Sequence, residues 1–316
     1  MYYLCFFILI TSFLTGHASP VASSEVFPWI APKSLTVLGS PFIDVILETP
    51  KEFIEKCDVK VGEIQNINSS DIKKIFLMYR ETFPENPVTV TRKEPLSLTE
   101  DQLANLGCVS LLNKPPYLHY GKQAEYGPAL QAWDHLRLIL RCPNQEDTFC
   151  YFLEETPKSL AELSLSSDVG YTLIDSDLLT YGCYIESFLK KARGPNHKIL
   201  FDLENPHIIQ HYRDRVWSLL PYIDVLFLSE ESTKSLTGMS NTSLGRRLLS
   251  HMIPTVFVQN TAEEKAQIYF IQHGKETVYS STQELQQIVL AFLFGYINDN
   301  VIDYCFHAGD LLLEHA

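Results

Sequence analysis

From residue 171 onward the chain alternates short apolar runs with longer amphipathic stretches. The runs at 171–174, 199–203, 224–228 and 255–258 predict strands, and the stretches at 177–193, 206–219, 230–237 and 243–251 carry apolar positions at helical spacing and predict helices. Strands that alternate with helices imply right-handed crossovers and a parallel sheet covered by helices on both faces. Two more strands, at 266–272 and 277–280, and two C-terminal helices close the chain. Upstream the pattern is sparser. Residues 35–39 and 43–47 predict two short strands, 71–79 a helix, and 99–106 a second helix led by Thr99-Glu100-Asp101. Residues 84–98 read as loop. At 136–154 two apolar runs flank Pro143-Asn144-Gln145-Glu146-Asp147, a turn-like stretch that predicts a hairpin with Cys142 facing Cys150 closely enough to be joined.

The first segment departs from all of this. Met1 to Leu14 is almost wholly apolar and is followed by Gly16-His17-Ala18, a small-x-small pattern before Ser19-Pro20. That is the pattern of a signal peptide cleaved after Ala18. The alternative, an uncleaved anchor, needs about 20 apolar residues, more than this run supplies. The expected organisation is therefore a signal peptide at 1–18, a linker at 19–33 and one α/β domain at 34–316, secreted or otherwise extracytoplasmic, with no membrane segment after cleavage.

The 316 residues, 46% of them hydrophobic and 20% charged, suit one large α/β unit. A formal charge of −13, with no cluster of Lys and Arg, excludes the electrostatic footprint of a nucleic-acid binder. Export permits disulfides. Of the seven cysteines, Cys57, Cys108, Cys142, Cys150, Cys183 and Cys305 would remain after cleavage, too widely spaced for a zinc framework or a dense disulfide scaffold. Asn68-Ser69-Ser70 and Asn241-Thr242-Ser243 are acceptor sequons that matter only in a eukaryotic secretory pathway.

Searching for chemistry narrows the field mainly by exclusion. His207 and His211 are one helical turn apart, the spacing of a metal pair, but Ile208 follows where a general-base Glu would stand and no third ligand is evident. They read as surface or cap histidines, and no metal site is expected. There is no G-x-S-x-G elbow, no P-loop and no G-x-G-x-x-G after the first strand, so hydrolase and dinucleotide readings have no carrier.

Several segments together resemble the ribokinase-like (PfkB) carbohydrate and nucleoside kinases, closest to the adenosine-kinase-like branch. Leu38-Gly39-Ser40-Pro41-Phe42-Ile43-Asp44 resembles the family's first strand and turn, and Glu52 to Lys56 its short helix. The blocks Lys198 to Pro206, Asp224 to Glu231 and Leu236-Thr237-Gly238 are similar to the consecutive strands beside the nucleotide. Ala291 to Gly295 resembles the helix after the catalytic turn. The resemblance implies a three-layer α/β/α sandwich with a mostly parallel central sheet and a small β lid from segments near 44–48 and 108–154. It also implies that Asp44 holds the hydroxyls of a sugar.

At the positions of chemistry the sequence departs from the family. The Gly-Ala-Gly-Asp turn falls on Gln283-Glu284-Leu285-Gln286, so the phosphate-facing backbone is blocked by Leu285, Glu284 adds like charge and Gln286 cannot serve as the base. Ser229-Glu230-Glu231-Ser232 lacks both end residues of the Asn-x-x-Glu motif. The Gly-Gly-Ser-x-x-Asn substrate segment meets Lys93-Glu94-Pro95 and Leu98, and the glycine beside ATP becomes Thr261. His307-Ala308-Gly309-Asp310 contains part of the catalytic motif but lies six residues from Ala316, with no room for the helices that must follow. The expectation is thus an exported, catalytically inactive kinase homologue without a cofactor, acting as a binding or interaction protein for a protein partner or a hydroxylated small molecule. The alternative is an active sugar or nucleoside kinase with divergent site residues, which would use ATP and magnesium.

Overall fold

The computed structural model describes residues 34–38, 43–92, 109–110, 136–143, 147–151, 169–180, 184–194, 196–260, 266–281 and 285–297. Their strands form two sheets. The larger, of eight strands, runs β13-β12-β11-β10-β9-β8-β1-β5. Here β1 is Ser34–Leu38, β5 Val109–Ser110, β8 Val169–Asp175, β9 Lys198–Leu203, β10 Val225–Ser229, β11 Thr255–Asn260, β12 Ala266–Gln272 and β13 Lys275–Ser281. All neighbours from β5 to β11 are parallel, and β12 and β13 add an antiparallel edge.

Period-two alternation divides this sheet between two helical layers. One face, with Leu38, Ile174, Phe201, Leu203, Leu226, Leu228, Val256 and Val258, is packed by α3 (Tyr184–Ala192), α4 (Pro206–Leu219), α5 (Glu230–Thr237) and α6 (Thr242–Ser250). The other face, with Val37, Leu173, Leu200, Val225, Phe227 and Phe257, is packed by α7 (Leu285–Ile297) through Ile288, Val289, Phe292 and Leu293. Phe292 is the hub of that layer, its ring 5.7, 5.3 and 5.6 Å from those of Phe227, Phe257 and Phe270. The architecture is the expected α/β/α sandwich. Helix limits follow local chemistry: Asn205 caps α4, Ser229 caps α5, and Gly238, at φ 71°, ends α5 in the left-handed conformation that glycine adopts without strain.

The smaller sheet has the order β3-β7-β6-β2-β4, with β2 at Ile43–Glu48, β3 at Ile64–Asn66, β4 at Val88–Arg92, β6 at Leu136–Arg141 and β7 at Thr148–Tyr151. Helices α1 (Lys51–Lys56) and α2 (Ser69–Thr82) cover one of its faces, where Val45, Leu47, Leu138, Leu140 and Cys150 meet Phe53, Ile72, Ile75 and Tyr79. The residues between them in sequence, Ile46, Ile139 and Phe149, point the other way and join the core of the larger unit, as does Ile64. This sheet is the expected lid, packed down on the main domain.

Four expectations need correction. Residues 109–110 pair with β1 in the larger sheet and are not part of the lid. The stretch 84–98 is not all loop: Val88-Thr89-Val90-Thr91 alternates and adds β4 at the lid edge, the position that tolerates the preceding Pro87. The helix expected at 177–193 is divided into a 3-10 turn, Ser176–Thr180, and α3, because Asp175 Oδ1 accepts from the Asp177 N–H and sets a tight turn after β8. The hairpin at 136–154 forms, but its register pairs Cys150 with Leu138, so Cys142 lies four residues beyond the facing position, and Cys57, Cys142 and Cys150 are free thiols. Four residues of strand span about 13 Å, too far for a bridge.

Candidate functional site

Open α/β sheets bind ligands outside the carboxyl ends of their strands, where neighbouring strands send the chain in opposite directions. Here that point lies between β1, whose other neighbour is β5, and β8, from which the chain proceeds outward through β9, β10 and β11. Asp44 enters the lid just after β1, and Asp177 follows β8. Residues that sequence reasoning scattered over the chain therefore meet at one edge.

The centre of this edge is a buried ion triad. Asp44 on β2 and Arg137 on β6 are register neighbours of parallel strands. The Arg137 guanidinium forks onto the carboxylate, Nε donating to Oδ1 at 2.8 Å and Nη2 to Oδ2 at 2.9 Å. Its remaining nitrogen, Nη1, lies 3.0 Å from Asp177 Oδ2 on the main domain. The side chains of Arg137 and Asp177 are 2% and 0% exposed, so the pair is almost fully desolvated. Burial alone would lower the guanidinium's pKa, but Asp177 and Asp44 together outweigh it and hold the proton more firmly than usual. The Phe149 ring, centred 5.6 Å from Arg137 Cζ, closes one side of the triad. Phe149 in turn meets the His207 ring at 5.3 Å, at the start of α4.

Further along the edge the strand ends bind one another. Asp175 and Asp202, both fully buried, face each other in the β8–β9 register. Asp202 Oδ1 accepts from the Glu204 N–H at 3.0 Å, and the Glu204 carboxylate accepts from Gln259 Nε2 on β11. Ser229 Oγ accepts from the Ser232 N–H at 2.9 Å, and Ser232 Oγ donates to the Glu204 carbonyl at 2.8 Å. The two end positions of the expected Asn-x-x-Glu motif thus form a helix cap tied to the next strand. Glu230, between them, accepts from Arg246 at 3.0 Å and from Thr242 at 3.2 Å.

Asp44, Asp175, Asp177, Asp202, Glu204 and Glu230 line this edge, with Arg137 and Arg246 as its described cations. Among the described residues no cluster of three His, Cys, Asp or Glu side chains is arranged to hold a metal ion. His207 packs on Phe149 and His211 on Tyr212, each separately.

The turn expected to replace the catalytic loop lies between β13, ending at Ser281, and α7, beginning at Leu285. Leu285 and Gln286 open that helix, whereas Gln283 and Glu284 fall outside the described residues. So do the signal peptide and its cleavage site, the helix at 99–106, the segment Lys93 to Leu98, Thr261, Cys108, Cys183, Cys305 and the stretch at 307–310. Arg137 and Asp177 are the members of the triad that sequence reasoning missed, and of the two Arg137 carried a signal. It stands inside the run Leu136-Arg137-Leu138-Ile139-Leu140, whose apolar pattern marks a buried strand, and a charge at the second position of such a run was the signal that it needs a buried partner.

Solved structures that share the fold include kinases. The chain superposes on the adenosine kinase of Sinorhizobium meliloti with a TM-score of 0.58 at 16% identity, covering 87% of this chain and 91% of that one. A probable sugar kinase from Rhizobium etli CFN 42 gives 0.58 at 15% identity, covering 88% and 90%. Adenosine kinase of Anopheles gambiae, in complex with P1,P4-di(adenosine-5) tetraphosphate, gives 0.56 at 17% identity, covering 87% and 92%. The shared feature is the ribokinase-like fold. No protein-family model matches the sequence, and no curated protein matches it.

Proposed function

We propose that this chain is an exported protein of ribokinase-like fold that transfers no phosphate and works as a binding or interaction protein, its partner a protein or a hydroxylated small molecule. One observation carries the reading. The carboxylate that the kinase resemblance would offer to substrate hydroxyls, Asp44, already accepts on both oxygens from Arg137. Arg137 also reaches Asp177, so this carboxylate is engaged by an internal cation that ties the lid to the main domain.

Two further features support this. The magnesium-motif positions Ser229 and Ser232 are engaged in a helix cap, and the sequence offers Gln286 where the family has its base. ATP and magnesium have no role under this reading.

The test is a transfer assay on purified mature protein with ATP, magnesium and a panel of sugars and nucleosides. The expected outcome is no transfer above background. Saturable, magnesium-dependent phosphorylation would establish the rival reading, an active kinase with divergent residues. N-terminal sequencing of the exported protein should begin at Ser19, and an intact Met1 would replace the cleaved signal by an anchor.

A further inference from the structure

We propose that Asn68 and Asn241 each carry an N-linked glycan; this rests on the reading that the chain enters a secretory pathway. Both sequons, Asn68-Ser69-Ser70 and Asn241-Thr242-Ser243, have the hydroxyl residue two positions on and no proline between. Both asparagines are exposed. Each stands in extended conformation just outside a helix, Asn68 before α2 at φ −72° and ψ 157°, Asn241 before α6 at φ −84° and ψ 102°.

The cap chemistry decides whether the fold tolerates the modification. An N-cap asparagine uses its carbonyl oxygen. Asn68 Oδ1 accepts from the Asp71 N–H at 2.8 Å, and Asn241 Oδ1 from the N–H groups of Ser243 and Leu244 at 3.0 and 3.3 Å. Glycan transfer occurs at the other atom. Nδ2 attacks the anomeric carbon of a lipid-linked oligosaccharide diphosphate, the carbon–oxygen bond breaks, the diphosphate leaves with the electron pair, and Nδ2 gives up one proton. The product keeps Oδ1 as an acceptor and one N–H on Nδ2. At Asn68 that N–H suffices for the bond to Asp71 Oδ2. Neither cap is lost, so the glycan and the helix start coexist at both sites.

The two sites lie on different layers, one over the lid and one over the larger sheet. At the second, Leu244 is 52% exposed three residues beyond Asn241, on the same helical face, where a glycan core would cover it. This gives the Asn241 glycan a physical role that the Asn68 glycan lacks.

The experiment expresses the full chain in secreting eukaryotic cells and follows mobility and intact mass before and after peptide-N-glycosidase. Wild type should show two glycan-sized steps, Asn68→Asp and Asn241→Asp one each, and the double variant none. Aspartate is as good an N-cap as asparagine, so these variants lose the acceptor nitrogen and keep the helix starts, although Asn68→Asp also loses the exposed bond to Asp71 Oδ2. Ser70→Ala and Ser243→Ala should lose the same steps with the asparagines in place. A second arm replaces residues 1–18 by an established cleavable leader and appends a reporter sequon. If only this arm is modified at 68 and 241, the native export signal fails and the acceptor assignment stands. If the reporter sequon is modified while Asn68 and Asn241 are not, the proposal is overturned.

Discussion

At the scale of single residues, the buried guanidinium is the most exacting requirement in the described chain. Removing one member of a buried ion pair leaves its partner charged and unsolvated, which typically costs about 3–5 kcal/mol, so Arg137→Met should lower the unfolding free energy by roughly that amount in urea titration. Arg137→Lys should recover only part of it, because an ammonium cannot reproduce the fork onto Asp44. A loss under about 1 kcal/mol for Arg137→Met would mean that the triad contributes little. A second residue-scale expectation concerns pH. Burial, and secondarily the nearby Cys57, pushes the Cys150 thiol from 9.0 up to about 12. The folded chain then keeps a proton that the unfolded chain releases above about pH 9, so this contribution is whole below that pH and is lost as pH rises toward 12, at up to ~1.4 kcal/mol per pH unit. Comparing urea midpoints at about pH 8 and about pH 10.5, wild type should lose more stability than Cys150→Ala. Equal losses would refute the assignment. Asp44 was visible in the sequence as a carboxylate after a strand, but its pairing with Arg137 was not. Its partner lies 93 residues away, and no local pattern encodes so distant a pairing.

Elements were legible where one period dominated. The strands β9, β10 and β11 each carry an uninterrupted apolar run, at 199–201, 225–228 and 256–258, and α4 to α6 begin at Asn or Ser caps, so existence and type followed from the pattern. Where a side chain competed with the backbone, the pattern misled: Asp175 turned the expected helix at 177–193 into a 3-10 turn followed by α3, although the apolar spacing continues through the break. Register was also beyond reach, since the hairpin's facing residues depend on how its turn closes, and the cysteines ended up offset. Close packing between elements is equally silent in one dimension. Gly245 on α6 looks like a poor helix residue, but a Cβ there would come 2.9 Å from Thr237 Oγ1 and 3.1 Å from Thr233 Cγ2 on α5. Thr237 Oγ1 is itself held at 2.7 Å from the Thr233 carbonyl, so it has little freedom to retreat. Gly245→Ala gains about 1 kcal/mol of helix propensity and meets an overpacking penalty of about 1–3 kcal/mol. The net expectation is a small loss in thermal stability, and a higher melting temperature would show that α5 and α6 separate easily. Beside this contact, Arg246 on α6 binds Glu230 on α5 and Glu276 on β13 and lies 3.6 Å from the Tyr269 ring centre on β12, which fastens the helix to the sheet edge.

For the whole molecule, the question is what keeps the lid down. The lid's inner face brings Ile46, Ile64, Ile139 and Phe149 into the main core, and the Asp44–Arg137–Asp177 triad is the described ionic contact that crosses the boundary. Apolar contact is indifferent to lateral position, whereas a fork onto a carboxylate fixes both distance and angle, so the triad should set the closed geometry while the apolar face supplies most of the adhesion. Amide hydrogen exchange separates the two contributions. In Arg137→Met, amides of β2, β6 and β7 should lose protection while those of β9, β10 and β11, in the larger sheet, keep theirs. A triple variant in which Asp44, Arg137 and Asp177 become Leu, Met and Leu should regain global stability, because well-packed apolar groups replace buried ion pairs at no net loss or with a gain of about 1–4 kcal/mol. Lid protection should nonetheless stay below wild type if the fork specifies the position of the lid. Full recovery of lid protection in the triple variant would show that apolar adhesion alone closes it. Uniform loss across both sheets in Arg137→Met would show that lid and main domain unfold as one unit, and the latch assigned to Arg137 would then be no more than a part of the common core.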